Sequence, residues 1–228
     1  MKEFFKVNAA LILFILGFFG FLTFARNFNK RPSVVLTSTQ CSIPCWYGIE
    51  PGRSTTSQVY AVLDNFEDVN KDTILGEYNH HEKLIKIYWF FQRPAEDQMG
   101  SVNIDNDMAT AINISTVNSL KLVELIEKAG EPEKYWLGTG YRDDGETFAD
   151  IVLLAPTKGY VAELVLDIKA GSNHVEVKPG TSVFRVTFFS PDMYQELLET
   201  RILIDKPARG RAPLQIWEGY GSVSTNKN

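Results

Sequence analysis

The chain is poor in the residues that build catalytic and metal centres: its 228 residues include two cysteines and three histidines. Two cysteines cannot complete a four-thiolate zinc site, and no second pair exists to help them. Cys41-Ser42-Ile43-Pro44-Cys45 also has a wider gap than redox or zinc pairs. His80, His81 and His174 lack the i, i+4 spacing that puts two ligands on one helix face. Adjacent strand residues point to opposite faces, so His80-His81-Glu82 is expected in a solvated loop rather than as a chelating pair. There is no Gly-x-Ser-x-Gly elbow. Gly138-Thr139-Gly140 and Gly219-Tyr220-Gly221 lack the further glycine, the lysine and the following helix of a phosphate cradle. Asn103–Asp107 places oxygen side chains at alternate positions without the following glycine and distal glutamate of a calcium loop, Asp143-Asp144-Gly145-Glu146 sets three acids around a glycine as a solvated hairpin does, and both are expected to be turns. The sequence therefore assigns no catalytic residue, no metal ligand and no cofactor.

Long apolar runs are also scarce, with one exception. Val7–Ala25 carries no charge, and as a helix it would span roughly 28 Å, close to the thickness of a bilayer's hydrocarbon core. A cleaved signal peptide has a shorter apolar core ending in a small-x-small site. Here Thr23-Phe24-Ala25 puts a bulky ring inside that site. A retained single-pass anchor in residues 1–31 is expected, with secretion after cleavage behind Ala25 as the alternative. Lys2 and Lys6 face Arg26, Lys30 and Arg31 almost evenly, so charge does not choose the orientation. Without residues 1–31 the chain keeps 18 basic and 27 acidic side chains, a net charge of −9. That acidity argues against nucleic acid or an anionic membrane surface as the main partner. Cys41 and Cys45, with Pro44 favouring a turn between them, are expected to form a disulfide in an oxidising compartment. Two idle thiols are the alternative.

Residues 32–40 complete a polar tether. Beyond it, Ser54-Thr55-Thr56 is an N-cap cluster, and Val59, Val62, Leu63 and Phe66 follow at i, i+3, i+4 and i+7, which predicts a helix over about 56–66. Strand patterning is expected at Lys83–Phe91, Ser101–Ile104 and Ala109–Ser115. A second helix is expected to open near Ser119 and to end at Ala129-Gly130, with Pro132 blocking continuation. Further strands are expected at Tyr135–Tyr141, Phe148–Ala155, Tyr160–Ile168, Val175–Lys178 and Val183–Phe189. A third helix, Pro191–Thr200, would take Ser190 as N-cap. Trp217 and Tyr220 are expected to fold back on the body, and 222–228 to be a disordered tail. The order suggests two α-then-β-meander units, 41–117 and 118–221, with one continuous antiparallel sheet as the alternative.

Pro44-Cys45-Trp46-Tyr47-Gly48-Ile49-Glu50-Pro51-Gly52-Arg53-Ser54 resembles a segment of uncharacterised exported bacterial proteins, Pro-Cys-Trp-x-Gly-Ile-x-Pro-Gly-x-Thr, with Thr55 one place late. More distantly, the Ile49–Val59 turn into a helix and the Gly130-Glu131-Pro132 exit resemble the BamE (SmpA/OmlA) and beta-lactamase inhibitor protein domains. The first likeness implies export and no activity. The second implies protein binding: one of those families helps to assemble outer-membrane proteins, and the other inhibits an enzyme through an exposed concave sheet. No functional residue carries over individually.

The resulting expectation is an α+β protein: an antiparallel sheet with helices on one face, after one N-terminal transmembrane helix. It is expected to be non-enzymatic and anchored in the cell membrane with an extracytoplasmic body. Its partner is expected to be another envelope protein. A small-ligand carrier, or a hydrolase whose site carries no motif, is the alternative. Trp46 and Tyr47 are candidate partner contacts, because Trp and Tyr are enriched at binding hot spots. Tyr88-Trp89-Phe90-Phe91 is expected to divide by alternation into a core pair and an outward pair.

Overall fold

The computed structural model describes Leu36 and residues 41–92, 98–200 and 214–225, all within one unit, Val34–Asn228. Helix α1, Thr56–Asn65, begins at a capping box. The Thr55 hydroxyl accepts from the Gln58 N–H (3.4 Å), and the Gln58 side chain accepts from the Thr55 N–H (2.9 Å). Four strands follow: β1 (Val69–Tyr78), β2 (Leu84–Phe91), β3 (Met99–Asp105) and β4 (Met108–Lys121). Helix α2, Leu122–Ala129, leads into β5 (Lys134–Tyr141), β6 (Thr147–Ala155), β7 (Tyr160–Asp167), β8 (His174–Val177) and β9 (Ser182–Phe189). A 3-10 turn, Pro191–Met193, and the short α3, Tyr194–Glu199, come next. Two short strands, β10 (Gln215–Ile216) and β11 (Gly221–Ser224), complete the described chain.

Nine of these strands make one sheet in the order β1-β2-β3-β4-β9-β7-β6-β5-β10, each paired antiparallel with its neighbour. Each helix-led run contributes one flank, and β4 meets β9 at the centre. The expected division at 117/118 falls inside β4, which carries the sheet through that point. β8 and β11 form a separate two-stranded sheet.

The helices do not all share a face. Val59 and Leu63 of α1 and Leu122 and Leu125 of α2 bury against the face holding Ile87, Trp89, Ile112, Phe188 and Leu164. Tyr194 and Leu197 of α3 bury instead with Ala111, Val152, Val161 and Phe189, which alternate with that set and so lie on the opposite face. The expectation of helices on one face is thus corrected: the Phe188-Phe189 pair supplies an apolar side chain to each face, and α3 covers the second.

Four boundary expectations also change. β1 had no expected counterpart. The start of α2 shifts from Ser119 to Leu122, because Leu120 and Lys121 still pair with Val183 and Ser182 across the sheet. Ser190 makes no side-chain cap to the third helix, whose first turn is 3-10. Ser222–Ser224 are not a free tail: they pair with Glu176, Val175 and His174, and Val223 is buried. The apolar run Val7–Ala25 lies outside the described residues. Among the described residues no helix is long and apolar enough to cross a membrane.

Candidate functional site

Cys41 and Cys45 form a disulfide, with Cα atoms 5.7 Å apart. Next to it, Trp46 and Ile49 exchange backbone hydrogen bonds of 2.9 and 2.8 Å around Tyr47 and Gly48, both at positive φ. That tight turn drives the Trp46 ring inward. It is fully buried, stacked on Trp89 at 5.4 Å and edge-on to Phe66 and Phe91. Trp46 is a core plug and offers no surface to a partner, which corrects its candidacy. Tyr47 stays half-buried against Phe66 at 4.1 Å. It lines an open groove of about 560 Å³ with Glu50, Arg53, Gln58 and Val62. Glu50 and Arg53 pair across 2.9 Å at that groove.

His80 and His81 lie in the loop between β1 and β2, with ring centroids 3.8 Å apart, and His174 is exposed on β8. Asn106 and Asp107 form the β3–β4 turn. Asp143–Glu146 form the β5–β6 turn, where the Asp144 carboxylate accepts from the Glu146 N–H (3.0 Å). Among the described residues no group of three or more His, Cys, Asp or Glu side chains is placed to hold a metal ion.

The second face of the sheet is a more promising feature. Directly opposed residues share a face, so the register gives rows of neighbours across the strands. One row reads Leu75, Tyr88, Ser101, Asn113, Thr187 and Val161. Beside it runs Glu77, Lys86, Asn103, Ala111 and Phe189. Phe90 opposes Met99. α3 packs where these rows reach Phe189 and Val161. Over β1–β3 the apolar members stand in solvent: Leu75 is 63% exposed, Phe90 40% and Met99 38%.

The polar groups between them hold one another in place. Tyr88 donates its hydroxyl proton to the Glu77 carboxylate, and the Lys86 ammonium lies 5.0 Å from the centre of the Tyr88 ring. The Tyr88 pKa is pushed up to about 12, first by burial, then by the hydrogen bond to Glu77 and by that carboxylate's charge. Thr187 donates to the Asn113 side-chain oxygen (2.8 Å). Arg185 donates to one Glu163 oxygen from both Nε (2.9 Å) and Nη2 (2.5 Å). Glu77, Lys86, Glu163 and Arg185 are thus each engaged by a neighbour on this face, and beside Glu77 and Lys86 it presents outward the aliphatic Leu75, the aromatic Phe90 and the thioether Met99.

Alternation divided the aromatic run as expected: Trp89 and Phe91 bury under α1, and Tyr88 and Phe90 face the other way. Leu75 and Met99 went unnoticed in the sequence, since neither lies in an alternating run that marks an outward face. Comparison with protein-family models, with curated proteins and with solved structures found no match to this chain.

Proposed function

We propose that this chain is a membrane-anchored extracytoplasmic protein whose work is binding another envelope protein, through the second face of the sheet over β1–β4. The observation that carries the reading is the exposed set Leu75, Phe90 and Met99 around Tyr88, whose hydroxyl and ring engage the neighbouring Glu77 and Lys86. Protein interfaces are depleted of free charge at their core and enriched in Tyr, Phe and Met. A merely solvated sheet face would carry Lys, Glu and Thr at these outward positions instead. The second half of the same face is closed by α3, so the contact is confined to the first half.

The location rests on other features. The Val7–Ala25 run has the length of a membrane span. The Cys41–Cys45 disulfide belongs to an oxidising compartment. The acidic balance of the rest of the chain suits an aqueous body outside the membrane.

Position-specific photo-crosslinking in intact cells tests the contact. A photoreactive phenylalanine analogue at Phe90 is expected to give a discrete adduct, and the same group at Asp64, exposed on α1, is not. Equal adducts from both positions, or none from Phe90, would remove the face from consideration.

A further inference from the structure

The groove beside α1 lies on the other side of the sheet from the β1–β4 contact face, and its shape begins with an unusual turn. Tyr47 and Gly48, the two central residues between Trp46 and Ile49, stand at φ +49° and +93°. Two-residue loops with both residues at positive φ favour Asn, Asp or Gly at the first position, because a larger side chain crowds the backbone there. A bulky aromatic in that conformation is an outlier, and strained residues of this kind gather at binding sites. The core beneath the turn is closed by Trp46, which is fully buried. The strained conformation lays the Tyr47 ring against Phe66, the C-cap of α1, with 4.1 Å between ring centroids. The two rings form one end of the groove.

From there the groove follows the helix. Gln58, Val62 and Asn65 recur at steps of four and three, so they share one face of α1. Gln58 and Asn65 are exposed along it, and Val62 is half-buried between them. Each amide is engaged at one end only. The Gln58 Oε1 accepts from the Thr55 N–H (2.9 Å), which leaves its amide N–H groups to donate. The Asn65 Nδ2 donates to the Ala61 carbonyl (2.7 Å), which leaves its oxygen to accept. At the opposite end from the two rings, Arg53 meets Glu50 through Nη1 (2.9 Å) while its side chain is 77% exposed, so the rest of the guanidinium fork faces solvent.

These spacings choose among ligands. Seven helical residues separate the two amides, about 10.5 Å along the axis. Like-facing residues of a β-strand recur every 6.6–6.8 Å or so, out of step with that interval. A polyproline II segment repeats every three residues, about 9.3 Å, and is close to it. Aromatic-lined grooves are the usual seats of such segments.

We propose that the groove along α1 binds a proline-containing segment of another protein in the polyproline II conformation. A proline ring packs on Tyr47 and Phe66, and a neighbouring non-proline residue donates its N–H to the Asn65 oxygen. Gln58 donates to a carbonyl one turn further along, and an acidic side chain beyond it meets the open side of the Arg53 guanidinium. A segment already held in this conformation loses little freedom on binding, which suits a groove that stays open to solvent. The site shares no residue with the β1–β4 face and does not depend on it.

The test titrates the full chain in detergent micelles with an end-blocked hexapeptide, Pro-Pro-Ala-Pro-Pro-Glu, and follows backbone amide shifts by NMR. Saturable shifts are expected at Gln58, Val62 and Asn65, with little change at Leu75, Phe90 and Met99. Gly-Ser-Ala-Gly-Ser-Glu, of equal length and charge but without the preformed conformation, is expected to bind about tenfold more weakly or not at all. Tyr47→Asn keeps a residue that tolerates positive φ and removes the ring, and is expected to abolish saturation. Asn65→Ala removes the acceptor from an exposed helical position and is expected to weaken binding about fivefold, so it decides the matter should the Tyr47 variant not fold. No saturable shift with the proline peptide, equal binding of the two peptides, or unchanged binding in either folded variant overturns the proposal. Saturation of the same amides by chitotriose and not by the peptide assigns the groove to a sugar and overturns it equally.

Discussion

Trp89 lies flat across Gly100, its directly opposed partner on β3, so that a Cβ on Gly100 would collide with the indole at Cε2 and Cζ2. The glycine is the floor on which the aromatic cluster Trp46–Trp89–Phe91 rests. Gly138 stands in a similar relation to the Trp136 ring and Gly140 to that of Phe148. In a sheet interior glycine normally weakens the strand; here the ring lying over it supplies the missing contact.

The first prediction follows from that contact. Gly100→Ala is expected to cost about 2–3 kcal/mol, because the ring must leave its rotamer or the strands must part. Gly180, with nothing within 4 Å of a built Cβ and no positive φ, is the control: Gly180→Ala is expected to be close to neutral. Urea denaturation followed by tryptophan fluorescence measures both. Equal midpoints for the two variants would mean that the ring does not rest on Gly100.

Core and contact face separate in a second prediction. Trp46→Ala removes a fully buried ring with four aromatic neighbours and is expected to cost about 3–5 kcal/mol. Phe90→Ser changes a side chain that is 40% exposed and is expected to stay within about 1 kcal/mol of the parent, yet to lose the partner adduct formed through the β1–β4 face. A Phe90→Ser variant that unfolds, or one that keeps its partner, contradicts the assignment of that side chain to a contact rather than to packing.

What the sequence made legible follows from how local each signal is. α1 was readable because its Ser54-Thr55-Thr56 N-cap cluster and its i, i+3, i+4 apolar positions all lie within a dozen residues. β2 was readable from KLIKIYWFF alone. β1 was not: Asn70-Lys71-Asp72-Thr73 forms the edge bulge, and the bulge destroys the alternation by which a strand is recognised. The limit of α2 was misplaced for a related reason. Leu120 and Lys121 have no strand signature of their own and are held extended by Val183 and Ser182, more than sixty positions away. Trp46 looked like a hot-spot residue because sequence cannot say which way a ring turns; the Trp46–Ile49 hydrogen bonds decide that. The apolar outward set is likewise a property of register. Leu75 and Met99 flank Tyr88 and Phe90 through strand pairing that no local pattern reveals.

Alkaline titration supplies a third prediction. Tyr88 has its pKa raised from the ordinary 10.0 to about 12, whereas in the unfolded chain it titrates at the ordinary value. Between those values the unfolded state has given up a proton that the native state retains, so stability falls as pH rises. The contribution is fully present below pH 10 and is lost as pH passes through about 12. Glu77→Gln removes the charge and weakens the hydrogen bond, and is expected to bring the Tyr88 titration back toward the ordinary value. Tyrosinate absorbance compared between the parent, Glu77→Gln and Tyr88→Phe isolates this residue from the other tyrosines. A Tyr88 that titrates like a free tyrosine in the parent would break the link with Glu77.

The disulfide gives a fourth prediction, and it tests location together with chemistry. The Cys41–Cys45 loop is short, so cross-linking it removes little freedom from the unfolded chain; reduction, or Ser at both positions, is expected to cost about 2 kcal/mol and to leave the fold intact. The core contacts of Trp46 and the Gly52–Ala109 hydrogen bond (2.7 Å) hold the same segment without it. With the fold expected to survive reduction, the oxidation state of the pair reports the compartment rather than the stability of the body. Intact cells treated with a membrane-impermeant maleimide are expected to label neither cysteine until an external reductant is added, and then to label both. Labelling that requires lysis but no reductant would place the body in a reducing compartment. The anchored extracytoplasmic reading would then fall, while the outward face of β1–β4 would have to be tested against partners on the other side of the membrane.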